Sequence, residues 1–197
     1  MKVYDRAYFD RWYRSARAVV RPEVMLRKVR LAVAAAEYVI GRPLRSVLDV
    51  GCGEGPWRAP LRRLRPGLRY VGVDSSEYVL RRYGRRRGIR LGTLAALDRL
   101  GFRRPFDLVV CADVLEYVPT AEVRAGLGHI RGLTGGLAYI EAFTATDDMV
   151  GDRLQWHYRS ARAYRALFRE AGLISCGLHC YVPQERLHTV SALERCE

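Results

Sequence analysis

The chain has 197 residues and a formal net charge of +13, which is carried almost entirely by arginine because Lys2 and Lys28 are its only lysines. A chain of this length buries a substantial core as one domain, and none of its apolar runs reaches the roughly 18 residues that a membrane span needs. Residues 1–20 mix charges with aromatics, so no signal peptide is predicted. The five cysteines are irregularly spaced, which argues against a disulfide framework and favours a reducing, cytoplasmic location.

Aromatic side chains mark the first predicted helix, residues 4–20. Tyr8 and Trp12 are four residues apart, as are Phe9 and Tyr13, so a helix presents both pairs on one side. This face either packs on the core or closes over a ligand, and the two interpretations are compatible. With the helix that follows, it forms the N-terminal helical lid that we predict over residues 1–40.

Residues 44–197 alternate strand and helix patterns, which is typical of an α/β sheet. The predicted strands are 46–50, 68–73, 89–91, 106–111, 137–143, 173–182 and 187–193, and the predicted helices are 24–40, 56–64, 76–86, 120–130 and 160–171. The short connection before the last strand requires that strand to be antiparallel. We find no internal repeat or linker, and therefore predict one domain over residues 1–197.

Three glycines follow the first buried strand directly, at Gly51, Gly53 and Gly55. Glycine at such a position lets the chain turn sharply and lets a ligand lie against bare backbone. The spacing differs from the Gly-x-Gly-x-x-Gly of dinucleotide-binding folds. The second strand ends at Asp74, where a carboxylate is placed to accept ribose hydroxyls.

Together with the stretch 106–119, the Asp49-x-Gly51-x-Gly53-x-Gly55 pattern and Asp74 resemble the class I S-adenosylmethionine-dependent methyltransferases. The resemblance covers roughly residues 44–175. It implies a Rossmann-like three-layer sandwich with a seven-stranded, mostly parallel sheet, and S-adenosyl-L-methionine as the cofactor. A dehydrogenase, or a related fold that has lost its ligand, is the alternative that the glycines alone leave open.

The resemblance also implies a set of cofactor-binding residues. Asp49 helps to hold the methionine amino group, and the backbone of 51–53 approaches the cofactor. Asp74 and Ser75 lie at the ribose, while Thr93 and Leu94 lie at the adenine. Ala112 and Asp113 line the methyl-transfer centre. The complete predicted set is Asp49, Gly51, Cys52, Gly53, Asp74, Ser75, Thr93, Leu94, Ala112 and Asp113.

The acceptor side is predicted from residues near the fourth and fifth strands. Tyr117 stands where many small-molecule relatives carry a histidine, and the motifs of amino-methylating base enzymes and of cytosine-C5 enzymes are missing. His157 is a candidate proton acceptor near neutral pH, and we favour this role over an ordinary surface histidine because an aromatic-histidine-aromatic run is unusual at a solvated helix entry. We predict His157, Asp113 and Tyr117 as catalytic, no metal site, and a substrate site formed by Trp12, Tyr13, Trp156, His157 and Tyr158.

These features predict an enzyme that methylates oxygen or nitrogen of a small molecule. The positive charge suggests RNA as an alternative acceptor, but the arginines are spread along the chain, and a solvated face explains the densest cluster, residues 81–87. A non-catalytic S-adenosylmethionine-binding protein is the third possibility. The oligomeric state is not predicted.

Overall fold

The computed structural model describes residues 2–15, 21–148 and 151–195, with a seven-stranded sheet at the centre. The strand order is β3-β2-β1-β4-β5-β7-β6, in which β1 to β5 are parallel and β7 runs antiparallel between β5 and β6. The strands are β1 (Ser46–Val50), β2 (Arg69–Asp74), β3 (Ile89–Leu91), β4 (Phe106–Ala112), β5 (Thr134–Glu141), β6 (Leu173–Ser175) and β7 (Cys180–Pro183). The predicted Rossmann-like sheet with one antiparallel strand near its edge is confirmed.

Helices cover both faces of the sheet. They are α1 (Arg6–Phe9), α2 (Pro22–Ile40), α3 (Arg58–Leu64), α4 (Glu77–Arg87), α5 (Thr120–Leu133) and α6 (Ala161–Glu170), with 3-10 helices at Leu94–Leu100, Leu115–Tyr117, Gln184–Thr189 and Ala192–Glu194. One apolar cluster joins α2 and α3 to the sheet, and a second joins α5 and α6 to its opposite face. In the described part of the chain, none of these helices has the length and apolarity of a membrane span.

The C-terminal region differs from the prediction of strands at 173–182 and 187–193. Gly177, Leu178 and His179 have φ angles of 77°, 50° and 64°, which turn the chain back and divide the first of these segments into β6 and β7. The second segment is not a strand, because the 3-10 helices after Pro183 occupy it. Two of the three turn residues, Leu178 and His179, are not typical of a left-handed backbone, and Gly177 alone did not mark the turn in the sequence.

The first helix is shorter than the predicted 4–20. Asp5 caps α1 by accepting a hydrogen bond from the Tyr8 amide, a π-helical turn covers Asp10–Arg14, and the backbone is extended at Ser15. Residues 16–20 lie outside the described residues. Phe9 is buried just before this turn, and its ring packs on Tyr13 within the segment and on Tyr78 of α4.

Helix α5 differs from the prediction in its N-cap residue and at its C-terminal end. Pro119 rather than Thr120 is the N-cap of α5, and the helix continues to Leu133. The Thr120 hydroxyl instead accepts a hydrogen bond of 3.1 Å from Arg159 Nε. Ser76, one of the two predicted candidates, caps α4, and Gly88 ends that helix with a φ of 68°. Tertiary partners therefore decide the boundaries that local capping patterns left open.

Candidate active site

The five parallel strands end at one edge of the sheet, and the loops that follow them meet there. The glycine loop follows β1, Ser75 follows β2, Thr93 lies beyond β3, and Asp113 follows β4. Ligands of open α/β sheets bind at this edge, beyond the carboxyl ends of the strands. The candidate site consists of these loops together with the N-terminal segment 2–15, which packs against them.

The glycine loop adopts left-handed backbone conformations, with φ angles of 68° at Gly51 and 51° at Gly53. A side chain at Gly51 would overlap a methyl group of Val114, and a Cβ at Gly53 would lie 2.5 Å from the Tyr13 hydroxyl. Both positions thus require glycine for conformation and for close approach. Buried Cys52 belongs to the same turn, and its amide donates to the Val73 carbonyl across 3.0 Å.

Asp74 ties the end of β2 to the glycine loop. Its two carboxylate oxygens accept hydrogen bonds from the Gly53 amide at 2.7 Å and from the Ser76 amide at 2.8 Å. Burial raises the pKa of Asp74, and the two amide bonds oppose that shift. Each carboxylate oxygen has a second lone pair, so Asp74 can still accept hydrogen bonds from a ligand in the cavity that it lines.

Asp49 is a buried carboxyl inside β1, and it accepts a hydrogen bond of 2.7 Å from the Tyr70 hydroxyl. Burial raises its pKa to about 7, although the bond from Tyr70 lowers it. Burial also holds the pKa of the neighbouring Cys52 thiol well above its usual range. Near neutral pH, therefore, Asp49 can carry or release a proton while Cys52 stays protonated.

Two cavities open along this edge. The first has a volume of about 240 Å³, and residues predicted for the ribose and adenine line it, namely Asp74, Ser75, Thr93 and Leu94. The second, of about 190 Å³, is lined by three further residues of the predicted cofactor set, Asp49, Cys52 and Ala112. Both cavities share Tyr8, Tyr13, Gly51, Asp113 and Tyr117 in their walls, so they meet in front of the strand ends.

Asp113 projects where the two cavities meet, immediately after β4. Its backbone has a φ of 59°, and its amide donates a hydrogen bond of 3.0 Å to the Glu141 carbonyl. Surrounding protein and the nearby Glu141 carboxylate raise the pKa of Asp113 to about 6, while Lys28 opposes the shift. A carboxylate with such a pKa accepts a proton well at neutral pH.

The acceptor side contains residues that the sequence prediction missed, some in the cavity wall and one behind it. Lys28 of α2 forms a 2.6 Å ion pair with Glu141, and Asp152 lines the second cavity together with Trp12 and Tyr13. Glu116, beside Tyr117, is fully buried, and its oxygens have no hydrogen-bond partner among the described residues. Burial raises its pKa to about 8. The two lysines of an otherwise arginine-rich chain were the available sequence signal.

The predicted 156–158 cluster does not line either cavity. His157 is exposed, and its amide donates a hydrogen bond of 2.7 Å to the Glu116 carbonyl. Tyr158 is 62% exposed, while Trp156 is buried with its ring 6.1 Å from the Tyr117 ring. The structure thus corrects the placement of His157 and Tyr158, because the chain enters α6 with those side chains directed outward, and it leaves Trp156 as a support behind Tyr117.

No group of three or more potential ligands is placed to hold a metal ion within residues 2–15, 21–148 and 151–195. Asp147 after β5 instead closes a local turn, because its carboxylate accepts a 2.7 Å hydrogen bond from the Thr144 amide. The hydrogen bonds from Thr144 lower the pKa of Asp147.

Solved structures share this fold at low sequence identity. Magnesium protoporphyrin IX methyltransferase from Synechocystis PCC 6803, with bound S-adenosylhomocysteine, aligns with a TM-score of 0.61 and 20% identity over 87% of each chain. An S-adenosylmethionine-dependent methyltransferase from Archaeoglobus fulgidus aligns with a TM-score of 0.63 and 16% identity over 85% of this chain and 75% of that one.

An S-adenosylmethionine-bound amino pentose methyltransferase from Micromonospora echinaspora aligns with a TM-score of 0.59 and 17% identity, covering 78% of this chain and 87% of that one. A comparison of the sequence with functionally curated proteins finds none that matches. At these identities the structural likeness establishes the fold.

The family assignment comes from the sequence itself. A family model described as a methyltransferase domain matches residues 20–185, which span the glycine loop, Asp74, Asp113 and the complete sheet. The chain therefore belongs to the methyltransferase-domain family, as a class I enzyme that uses S-adenosylmethionine.

Proposed function

We propose that this enzyme methylates an oxygen or nitrogen atom of a small molecule that enters through the second cavity. The observation that carries the proposal is the meeting of two cavities at Asp113, one beside Asp74 and the other lined by aromatic and charged side chains. Two of the structural relatives are a magnesium protoporphyrin IX methyltransferase and an amino pentose methyltransferase, so the fold accommodates small molecules of different shapes.

The residues of the first cavity fit the adenosine part of the cofactor. Asp74 would accept the ribose hydroxyls with the lone pairs that the Gly53 and Ser76 amides leave free. Thr93 and Leu94 would bound the adenine. At the other end, Asp49 and the bare backbone of Gly51 would receive the methionine part. The cofactor supplies a methyl group that its sulfonium has already activated.

The main task of the protein is alignment, because good orientation of the reactants alone lowers a barrier by roughly 7–11 kcal/mol. We assign Asp113 as the group that takes the proton of the acceptor, because it faces both cavities and its pKa of about 6 leaves it ionised at neutral pH. Tyr117 would wall the acceptor beside it. With His157 outside the cavities, Asp113 and Tyr117 are the catalytic candidates that we retain.

The N-terminal segment 2–15 is proposed as the lid. Tyr8 and Tyr13 line both cavities, and the Tyr13 ring lies close to the Gly53 backbone. Arg14 forms an ion pair with Glu54 in the glycine loop, and the Ser76 hydroxyl donates a hydrogen bond to the Tyr4 carbonyl. A segment held in this way excludes water from the reaction when ligands are bound.

Two measurements test the proposal. Calorimetry should show binding of S-adenosylhomocysteine and none of NAD; the opposite result would overturn the cofactor assignment. Incubation with methyl-labelled S-adenosylmethionine and either metabolite extract or total RNA should transfer label to small molecules. Label confined to RNA, with binding that weakens steeply as salt rises, would replace the small-molecule acceptor by a nucleic acid.

A further inference from the structure

The two lysines of the chain both lie at the active-site cavities, whereas every other strongly basic side chain is arginine. Lys28 lines the second cavity, and the Lys2 ammonium rests on the Tyr117 ring, which lines both. Lysine presents a compact ammonium on a flexible stem, while arginine presents a broad, flat guanidinium. The site that the Lys2 side chain occupies therefore suits a cation of the size of an ammonium group.

The Lys2 ammonium occupies a cage of three tyrosine rings and one carboxylate. Its Nζ lies 3.6 Å from the ring centroid of Tyr117 and 5.2 Å from those of Tyr4 and Tyr8. Asp152 Oδ2 lies 2.9 Å away, and the Lys2 side chain is only 3% exposed. Tyrosine faces at such distances attract cations, and alkylammonium ligands are recognised by cages of this kind. We call these four residues the tyrosine cage.

The tyrosine cage is continuous with both cavities. Tyr8 and Tyr117 line the two of them, Tyr4 lines the first, and Asp152 lines the second. A ligand group seated in the cage would thus lie beside Asp113, which borders the same cavities. The cage is part of the wall that faces the reaction centre rather than a separate surface feature.

Outside the tyrosine cage, Lys2 has few contacts among the described residues. Beyond the cage, its backbone amide donates one 2.9 Å hydrogen bond to the Gln155 side chain, and the next residue, Val3, is 64% exposed. Burial lowers the pKa of Lys2 despite the opposing contribution of Asp152. A substituted alkylammonium ligand is less strongly hydrated than the primary ammonium of lysine, so it would lose less hydration on entering the same cage.

We propose that the tyrosine cage is the acceptor subsite for an alkylammonium group, and that Lys2 fills it until such an acceptor displaces it. This inference rests on the proposed small-molecule methyl transfer and narrows its substrate class to compounds that carry an amine. It concerns how the acceptor is held. The three rings and Asp152 would give a ligand ammonium the same contacts that they give Lys2.

Amine labelling of the unmodified protein tests the displacement, with tetramethylammonium as the probe. Because the chain has two lysines, mass spectrometry after treatment with an acetylating reagent reports each one separately. Tetramethylammonium chloride should raise the labelling rate of Lys2 at least threefold over sodium chloride at equal ionic strength. Lys28, paired with Glu141, should label equally in both salts. Equal rates for Lys2 in the two salts would overturn the proposal.

Calorimetry with variants gives the second test. Lys2→Ala should bind tetramethylammonium at least fivefold more tightly than the wild type, because a tethered competitor has been removed. Adding Tyr117→Leu should abolish that gain, and neutral tert-butanol should bind to none of the three proteins. Equal affinity in all three would contradict the cage.

Binding of S-adenosylhomocysteine, measured on the same samples, distinguishes a failure of the tyrosine cage from a failure of the proposed methyl-transfer function. A protein that binds S-adenosylhomocysteine but no tetramethylammonium keeps the proposed function and loses the cage. A protein that binds neither has lost the proposed function itself.

Discussion

The two cavities of the active site differ in the structural elements that supply their lining residues. Polar groups of the first come from the ends of neighbouring parallel strands, where Asp74 binds the Gly53 amide of the glycine loop. The acceptor wall of the second is assembled from side chains far apart in sequence, such as Lys28 and Asp152. Sheet topology thus places the cofactor side, whereas the acceptor side depends on individual side chains, which can change without changing the fold.

The largest effect is expected at the junction of the cavities. Asp113→Asn should lower kcat by roughly 10²–10⁴-fold, the range that a positioned proton acceptor contributes. Affinity for S-adenosylhomocysteine should stay within threefold of the wild type. Asp148→Asn, an exposed acid after β5, is the matched control and should leave kcat unchanged.

The pH dependence sharpens this prediction. Because the pKa of Asp113 is raised to about 6, the carboxylate is protonated below that pH and ionised above it. Wild-type kcat/KM should therefore rise with pH through about 6, and the rise should disappear in Asp113→Asn. Full turnover by the variant, with an unchanged pH profile, would mean that another group takes the proton.

On the cofactor side, Asp74→Ala should weaken S-adenosylhomocysteine binding at least tenfold, because a hydrogen bond to a charged group contributes about 1.5–3 kcal/mol. The Gly53 and Ser76 amides would also lose their acceptor. Asp98→Ala, at a carboxylate that is 58% exposed, serves as the control in calorimetry. Equal affinities of the two variants would show that Asp74 does not contact the ribose.

Gly41 and Gly51 have the same backbone conformation but different surroundings. Alanine substitutions at the two positions therefore distinguish the cost of backbone strain from the cost of a steric clash with neighbouring atoms. Gly41 and Gly51 have φ angles of 66° and 68°, but a Cβ at Gly41 meets nothing within 4 Å, whereas one at Gly51 overlaps Val114. Gly41→Ala should cost about 1–2 kcal/mol of folding free energy and leave cofactor affinity unchanged. Gly51→Ala should cost more in thermal denaturation and also weaken cofactor binding. Identical losses in both would mean that Val114 simply moves aside.

The difference between the cavities also explains which residues of the site could be predicted from the sequence. Strand ends follow from hydrophobic runs closed by Gly51 or Asp74, so the residues predicted for the cofactor came together as expected, in the walls of the two cavities. Their roles remain proposals. The turn at Leu178 and His179 escaped prediction because its left-handed backbone uses residues that seldom adopt it.

Prediction of the 156–158 cluster failed for another reason. An aromatic-histidine-aromatic run at 156–158 is unusual in composition, but local sequence cannot say which way a helix entry faces. Lys2 and Tyr117 form their contact across more than a hundred residues of chain, and no periodic pattern connects them. Only the tertiary structure brings such pairs together.

Buried Glu116 offers a stability test behind the acceptor wall. Burial raises its pKa in the folded protein to about 8, above the 4.5 of an exposed glutamate, so folding favours the protonated form and stability falls as pH rises between these values. Glu116→Gln removes this dependence. In denaturant unfolding, the variant should gain about 4 kcal/mol over the wild type at pH 8 and little at pH 4.5. A constant difference across this pH range would show that Glu116 does not titrate in this way.

The smallest effect is expected at His157, whose sequence context suggested catalysis. The side chain is exposed and lines neither cavity, and the amide that bonds to the Glu116 carbonyl is present in any residue other than proline. His157→Ala should therefore change kcat by less than twofold and leave melting temperature and cofactor affinity as they are. Trp156→Ala is the informative neighbour, because its buried ring packs edge-on against Tyr117 and its loss should lower both stability and kcat. If His157→Ala instead lowered kcat at unchanged cofactor affinity, the 156–158 segment would have to turn inward when the acceptor binds, and the histidine would regain its predicted role.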